Sequence, residues 1–173
     1  MDFSILFLSI FSNFLHVSSD TTGDWKTYKG DIYSIHYPSS WEFNKGGHMN
    51  THFILMSPTE STEDKLSENV NLIVQDMGNQ PITLSQYVGL STAQVTAQLK
   101  DGTILLNERK SINDSEYHHL IYSGKMGDLH LVFNQHVRIK DNNVYVLTFT
   151  CEFAKMSQWQ TIGEEVMKTF SFN

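Results

Sequence analysis

The fold of this chain is decided by residues 115–151, which read S-E-Y-H-H-L-I-Y-S-G-K-M-G-D-L-H-L-V-F-N-Q-H-V-R-I-K-D-N-N-V-Y-V-L-T-F-T-C. Three β-type runs follow one another in this stretch, and they are separated only at residues 124–128 and 140–143. Both separations are rich in Gly, Asp or Asn, the residues that reverse a chain at low conformational cost. The stretch therefore predicts a meander of three antiparallel strands, against which the rest of the chain can be placed.

The composition is that of one acidic domain. The chain has 173 residues, with 12 Lys and Arg against 19 Asp and Glu, so its net charge is −7. An acidic chain without a cluster of basic residues is poorly suited to bind nucleic acid or an anionic membrane surface. Its single cysteine, Cys151, excludes a disulfide within the chain. We therefore expect no nucleic-acid partner.

The most apolar stretch lies near the N-terminus. Residues 3–17 have the length of the hydrophobic region of an export signal, and they are shorter than the roughly 20 residues that a membrane span needs. Residues 17–19, Val-Ser-Ser, would serve as a cleavage site, whereas Met1 and Asp2 lack the basic charge of such signals. We interpret residues 1–19 as an export signal or, alternatively, as an N-terminal apolar core segment. Residues 20–173 are then a single domain, and the mature chain has no membrane span.

Four strands are predicted before the first helix, at residues 25–29, 31–37, 52–57 and 69–77. The first two form a hairpin that turns at Gly30 and Asp31. Pro38 ends the second strand because proline has no N–H to donate to a neighbouring strand. Residues 39–43 are expected to turn the chain back, and the acidic residues 59–68 are expected to form a solvated surface loop.

Two helices are predicted, at residues 83–99 and 155–170. Thr83 and Gln86 have the spacing of a capping box at the start of the first helix. Each helix has apolar residues along one side, as expected for a helix that packs on a sheet. A strand at residues 103–111 follows the first helix. Because too few helices intervene to connect parallel strands, the order of elements predicts an α+β fold with a central antiparallel β-sheet.

Several of these features together resemble the PsbP-like domains. They are Tyr37-Pro38 and Trp41 after the first hairpin, Asn69-Val70 at the start of a strand, Thr83-Leu84 at the start of a helix, the aromatic strand 145–149, and Phe170-Ser171-Phe172 at the end. The resemblance covers residues 25–172. It implies an antiparallel sheet with helices on both faces, an α/β/α sandwich. It implies no shared enzymatic activity, since members mostly act as accessory or binding proteins and some bacterial relatives act as chaperones. No active-site residue is carried over.

Histidines in the meander offer the one candidate site. If residues 126 and 127 form the turn between the first two strands, Tyr117 lies opposite His136 and His119 opposite Asn134. His119 and His136 would then lie diagonally on one face of the sheet, within reach of a shared ligand or metal. A zinc site needs three or four ligands, and no third one is evident. Ordinary histidines on an exposed polar face are therefore expected, and no metal ligand is assigned.

Other patterns assign no catalytic or cofactor-binding residue. Cys151 is in phase with apolar neighbours in its strand, which is typical of a buried small side chain. The chain contains neither a phosphate-binding glycine motif nor a G-x-S-x-G nucleophile motif. The sequence thus predicts no catalytic residue, no metal and no cofactor.

Three functional hypotheses remain open. The first is a non-enzymatic accessory or binding domain that is exported to the periplasm or outside the cell and contacts a protein or ligand of unknown identity. The second is an intracellular, cytoplasmic chaperone or adaptor of the same fold that binds an apolar segment of a partner protein. The third is a metal-binding protein or an enzyme that uses the meander histidines.

Overall fold

The computed structural model describes residues 24–46, 51–62, 64–112 and 115–173. The predicted export segment, residues 1–19, lies outside the described residues. The strands are β1 (Trp25–Lys29), β2 (Tyr33–Pro38), β3 (Glu42–Lys45), β4 (Phe53–Met56), β5 (Asn69–Asp76), β6 (Lys100–Ile112), β7 (Ser115–Met126), β8 (Leu129–Lys140), β9 (Asn143–Glu152) and β10 (Ser171–Phe172). The helices are α1 (Leu84–Gln98) and α2 (Met156–Lys168), and α2 follows a short 3-10 helix (Phe153–Lys155).

The strands form two antiparallel sheets. The large sheet has the order β3-β4-β5-β9-β8-β7-β6, and the small one has the order β1-β2-β10. The predicted meander is confirmed as β7, β8 and β9, which are neighbours in the large sheet. Two strands were missed by the sequence patterns. Residues 42–45 pair with β4 rather than only turning the chain, and residues 171–172 pair with β2.

Opposite faces of the large sheet carry the two helices. α1 packs on β6, β7 and β8, whereas α2 packs on β9, β5 and β2. Alternation along β9 explains how both faces are covered, because successive side chains of a strand point to opposite sides. Leu147 and Phe149 belong to the core beneath α2, and Val144 and Val146 to a separate core that includes Tyr87 of α1. The predicted α+β sandwich, with a central antiparallel sheet and helices on both faces, is confirmed.

The start of α1 shows the predicted capping box. The Thr83 hydroxyl accepts a hydrogen bond of 3.2 Å from the Gln86 N–H, and the Gln86 side-chain oxygen accepts one of 2.9 Å from the Thr83 N–H. Both N–H groups would otherwise lack a partner within the helix. The cap therefore fixes where α1 begins.

Removing this cap has a predictable cost. Thr83→Ala is expected to lower the free energy of unfolding by about 1 kcal/mol, because it removes one side of the reciprocal pair. Urea unfolding measures the change. Thr96→Ala is the matched control, since Thr96 is exposed within the same helix and alanine is the better helix former there. Equal losses from the two substitutions would contradict the capping role.

The turn between β7 and β8 differs from the prediction. Met126 pairs with Leu129, so the loop consists of Gly127 and Asp128. Gly127 has a φ of 58°, a left-handed conformation that glycine adopts without strain. Relative to the expected turn, β8 is shifted by two residues along β7. A shift of two residues keeps every side chain on its predicted face while changing its partner.

The acidic segment before β5 also differs from its prediction. It was expected to be a solvated loop, but Leu66 is 1% exposed and Glu68 is 0% exposed. Leu66 packs into the core beneath α1, together with Leu131 and Phe133 of β8. The end of this segment therefore packs against the core instead of lying in solvent, and its last carboxylate is buried.

Candidate functional site

The corrected register places His119 of β7 directly opposite His136 of β8. Their ring centroids are 4.9 Å apart and the ring planes are nearly perpendicular. The Tyr117 ring lies 4.4 Å from that of His136, and the Arg138 guanidinium carbon lies 4.8 Å from the centroid of the Tyr117 ring. The prediction that the two histidines share a face was right, but they are direct rather than diagonal partners. We call His119, His136, Tyr117 and Arg138 the histidine–arginine cluster.

The histidine–arginine cluster is buried, contrary to the exposed polar face expected for its histidines. His119 is 5% exposed, His136 is 2% and Arg138 is 3%. The odd residues of β7 and the even residues of β8 rise from the face on which α2 lies. Sequence alternation marked these positions as the polar side of their strands, but it could not show that this side is covered.

Hydrogen bonding inside the cluster is incomplete. His119 Nε2 lies 2.8 Å from Asn134 Oδ1, a distance at which the ring N–H donates to the amide oxygen. The Nδ1 atoms of His119 and His136 and the Nη1 atom of Arg138 are buried without a hydrogen-bond partner. Buried polar atoms are usually paired, because an unmade hydrogen bond leaves the cost of removing the atom from water uncompensated. The cluster therefore has hydrogen-bonding atoms that a ligand could still use.

Electrostatics keep both imidazoles neutral. Burial, together with the nearby Arg138 and His119, lowers the pKa of His136 to about 2. Burial also lowers the pKa of His119. Burial lowers the pKa of Arg138 to about 10, so its guanidinium still carries a full charge at neutral pH. The one charged member of the cluster is thus a cation.

These features argue against a metal ion at the histidines. A metal cation would lie next to the charged Arg138, and Lys110 and Lys168 add positive potential at His136. Within the described ranges, no three His, Cys, Asp or Glu side chains are grouped so that they could hold a metal. A site that attracts anions fits the arrangement better than one that attracts cations.

The buried histidine has a predictable effect on stability. Its pKa in the folded chain, about 2, is below its ordinary value of 6.5, so its contribution is present above pH 6.5 and is lost as the pH falls. Between pH 7.5 and pH 5 the loss is about 2 kcal/mol for one such group. His136→Leu removes the effect, so this variant should gain about 2 kcal/mol relative to the unsubstituted chain over that range. Urea unfolding at the two pH values measures it.

The control for this prediction is His36→Leu. His36 is exposed on β2, where its Nδ1 lies 3.0 Å from the Thr27 hydroxyl. The relative stability of this variant should be similar at the two pH values. A similar gain in both variants would contradict the burial argument.

Cys151 has the role expected from its phase in β9. Its side chain is 0% exposed and belongs to the core beneath α2. Burial, with a contribution from Glu68, raises the pKa of the thiol to about 12. The thiolate that nucleophilic catalysis requires is therefore scarce at neutral pH.

A second polar cluster surrounds Lys155, and no pattern in the sequence indicated it. The Lys155 ammonium lies 2.8 Å from Glu60 and 2.9 Å from Asp64. Glu152 and Glu68 follow at 3.9 Å and 4.0 Å. These contacts attach the acidic segment to the 3-10 helix before α2. Burial raises the pKa of Glu68 to about 7. At Asp64 burial also acts to raise the pKa, but the hydrogen bond and charge of Lys155 and the backbone hydrogen bonds at Glu60 and Leu66 together lower it.

A shallow groove of about 450 Å³ lies along the first half of α1. Pro81, Ile82 and Leu90 give it an apolar lining, and Leu90 is 44% exposed. The groove is held in place from one side, because Arg109 of β6 donates a 2.8 Å hydrogen bond to the Ser85 hydroxyl. This groove and the histidine–arginine cluster lie on opposite faces of the large sheet.

Solved structures of other proteins share the fold. The solution structure of the cyanobacterial PsbP protein CyanoP from Synechocystis sp. PCC 6803 matches with a TM-score of 0.62 at 14% identity, over 91% of this chain and 98% of that one. LpqN, involved in cell envelope biogenesis of Mycobacterium tuberculosis, matches with a TM-score of 0.63 at 8% identity, over 88% and 93%. PA94 from Pseudomonas aeruginosa, a protein of unknown function, matches with a TM-score of 0.57 at 15% identity, over 85% and 96%.

These matches confirm the resemblance at the level of the fold. The chain has a PsbP-like fold, and the matches span nearly the full length of each solved structure. No protein-family model matches the sequence, and no curated protein sequence matches it. In the parts of the chain that the structure describes, every helix is too short or too polar to cross a membrane.

Proposed function

We propose that this chain is a non-enzymatic binding domain, exported to the cell envelope or beyond, that contacts a partner protein through the groove beside α1. The observation that carries the proposal is the apolar lining of this groove by Pro81, Ile82 and the exposed Leu90. Exposed apolar surface of this kind marks interaction sites on soluble domains. An apolar segment of a partner is the occupant that gains most from covering it.

The state of the reactive side chains supports binding rather than catalysis. Cys151 is buried and its pKa is raised to about 12, which leaves little thiolate. His136 is buried and neutral, with a pKa of about 2, whereas a general base works best with a pKa near the operating pH. The likeness to LpqN, a protein involved in cell envelope biogenesis, supports an extracytoplasmic location.

Site-specific crosslinking tests the groove. A photoreactive amino acid at Leu90 is expected to capture a partner in the native host, and Leu90→Asp should abolish co-purification of that partner. Leu105 on β6 is the matched control, since it is also a leucine that is 44% exposed. The proposal that the groove binds a partner would lose its support in either of two cases. One is equal capture from both positions, and the other is a partner that still co-purifies with the Leu90→Asp variant.

N-terminal sequencing of the protein from its native host tests export separately. A mature start near Asp20 supports export. An intact Met1 would exclude cleavage and favour the cytoplasmic chaperone or adaptor, for which the missing basic charge before the apolar stretch is the supporting observation.

A further inference from the structure

Arg138 is a buried cation that has no anionic partner among the described parts of the chain. Its side chain makes no ion pair with any carboxylate of the described residues, and its Nη1 atom has no hydrogen-bond partner. Arginine is almost never fully buried unless it is paired, because removing an ion from water costs several kcal/mol. Within the described ranges, Arg138 therefore lacks the partner that a buried guanidinium normally has.

Aromatic rings compensate for part of the cost of burying the Arg138 guanidinium, and they orient it. The guanidinium carbon lies 4.8 Å from the Tyr117 ring centroid and 5.3 Å from that of Phe170. Such contacts are worth about 0.5–2 kcal/mol each, but an aromatic face does not replace a hydrogen-bond acceptor, and the N–H groups on Nη1 remain without one. The missing partner is an acceptor that meets those N–H groups, and oxygen anions meet them best.

The charges around the cluster indicate how many negative charges are missing. Lys110 is paired with Glu108 at 2.6 Å, and Lys168 with Glu164 at 3.3 Å. Both pairs lie close enough to affect the titration of His119 and His136. Each lysine is thus compensated by its own glutamate, and among the residues that the structure describes Arg138 remains as one uncompensated positive charge. One monovalent anion would balance it.

His136 supplies a second hydrogen-bond donor on the same face of the sheet as Arg138. It precedes Arg138 by two residues in β8, so both side chains rise from the same face of the strand. Its Nδ1 atom is buried and unpartnered, and a neutral imidazole can carry its hydrogen on that atom. A fork of guanidinium N–H groups with one imidazole N–H beside it matches the two oxygens of a carboxylate.

We propose that Arg138 and His136 form a binding site for a carboxylate group on the α2 side of the sheet. The exposed Lys110 and Lys168, on β6 and α2, each contribute positive potential at His136 but are held by their own glutamates, so the attraction for an anion comes from Arg138. The carboxylate belongs either to a small organic acid or to the C-terminus of a peptide. This site is on the other face of the sheet from the α1 groove and does not depend on it.

Acetate is the first probe. Titrated into the chain at constant ionic strength against a chloride control, it should bind saturably, as measured by the shift of the Arg138 side-chain N–H resonances. Arg138→Met should weaken binding at least about tenfold, because a hydrogen bond to a charged group is lost. Arg109→Met is the matched control, since Arg109 is exposed and paired with Glu116, and it should bind acetate unchanged.

Two further titrations show whether the carboxylate comes from a small acid or from the C-terminus of a peptide. A short peptide with a free C-terminus that binds more tightly than acetate, while its amidated form does not bind, would identify a chain terminus as the source. Binding of acetate alone would identify a small acid. The proposal is overturned if the Arg138 resonances do not move up to about 100-fold excess acetate, or if inorganic phosphate binds more tightly than every carboxylate. The resonance measurement uses the unsubstituted chain, so it decides the matter even if Arg138→Met fails to fold.

Discussion

Phe149→Ala is expected to lower the free energy of unfolding by about 3–5 kcal/mol, the largest effect of any single substitution considered for this chain. Phe149 is 1% exposed and lies in the core between β9 and α2. Truncation removes the buried ring and leaves a cavity that the rigid sheet cannot close. Urea or guanidinium unfolding measures the loss.

The control is another phenylalanine nearby in the chain. Phe153 is 43% exposed and stacks on the His130 ring at 4.3 Å. Phe153→Ala should therefore cost no more than about 1.5 kcal/mol, the value of an aromatic pair. Losses of the same size for both substitutions would contradict the assignment of Phe149 to the centre of the core.

The loss of stability caused by a substitution at Phe149 should depend on whether Gly163 of α2 is also substituted. A Cβ atom at Gly163 would lie 2.6 Å from the Phe149 ring, closer than carbon atoms approach. Gly163→Ala alone is therefore expected to cost about 1–3 kcal/mol through overpacking. In a chain that already carries Phe149→Ala, the same substitution should cost far less, because the clash is gone. Additive losses in this double-mutant cycle would show that helix and ring do not meet as described.

Glu68→Gln is expected to stabilise the chain by about 3 kcal/mol at pH 8 and to have little effect below pH 4.5. Glu68 is 0% exposed, and burial raises its pKa from 4.5 to about 7. A carboxyl group whose pKa is higher in the folded chain favours folding in its protonated form. Its contribution is therefore fully present below pH 4.5 and is lost as the pH rises through 7. Glutamine stays neutral over the whole range.

The measurement is urea unfolding of the Glu68→Gln variant and of the unsubstituted chain at pH 5 and pH 8. Glu165→Gln is the control, because Glu165 is exposed on α2, and this substitution should shift stability equally at both pH values. A constant difference between Glu68→Gln and the unsubstituted chain would contradict the burial of a carboxylate. The Ser57 hydroxyl donates to Glu68 Oε2 at 3.2 Å, and glutamine keeps an oxygen to accept that bond.

The pH effects of Glu68 and His136 oppose each other. Between pH 4.5 and pH 6.5, raising the pH removes the contribution of Glu68 and restores that of His136. The unsubstituted chain can thus have a flat stability profile over this range although both groups titrate. Comparing Glu68→Gln and His136→Leu with the unsubstituted chain reveals the two effects separately.

Local sequence patterns determined most of the secondary structure. The capping pair Thr83 and Gln86 begins α1 where predicted, and the alternation in residues 143–151 predicts both β9 and the burial of Cys151. These features depend on neighbours within a few residues, so they are readable in the sequence. The strand at residues 171–172 was not readable, because its partner β2 lies far away in the chain.

Both polar clusters were decided by the tertiary structure. Alternation placed His119 and His136 on one face, but the two-residue turn lies at a different position and so changed their pairing. Their burial could not be predicted, because it depends on what packs over that face. Lys155 and Asp64 are 91 residues apart and meet only once the sheet has formed.

The sequence by itself determined the α+β class, the meander and the buried thiol, because periodicity and turn chemistry act over short distances. Only the tertiary structure decided that Arg138 and Glu68 are buried. Periodicity separates the two faces of a strand, but whether a polar face is covered depends on the element that packs over it from elsewhere in the chain.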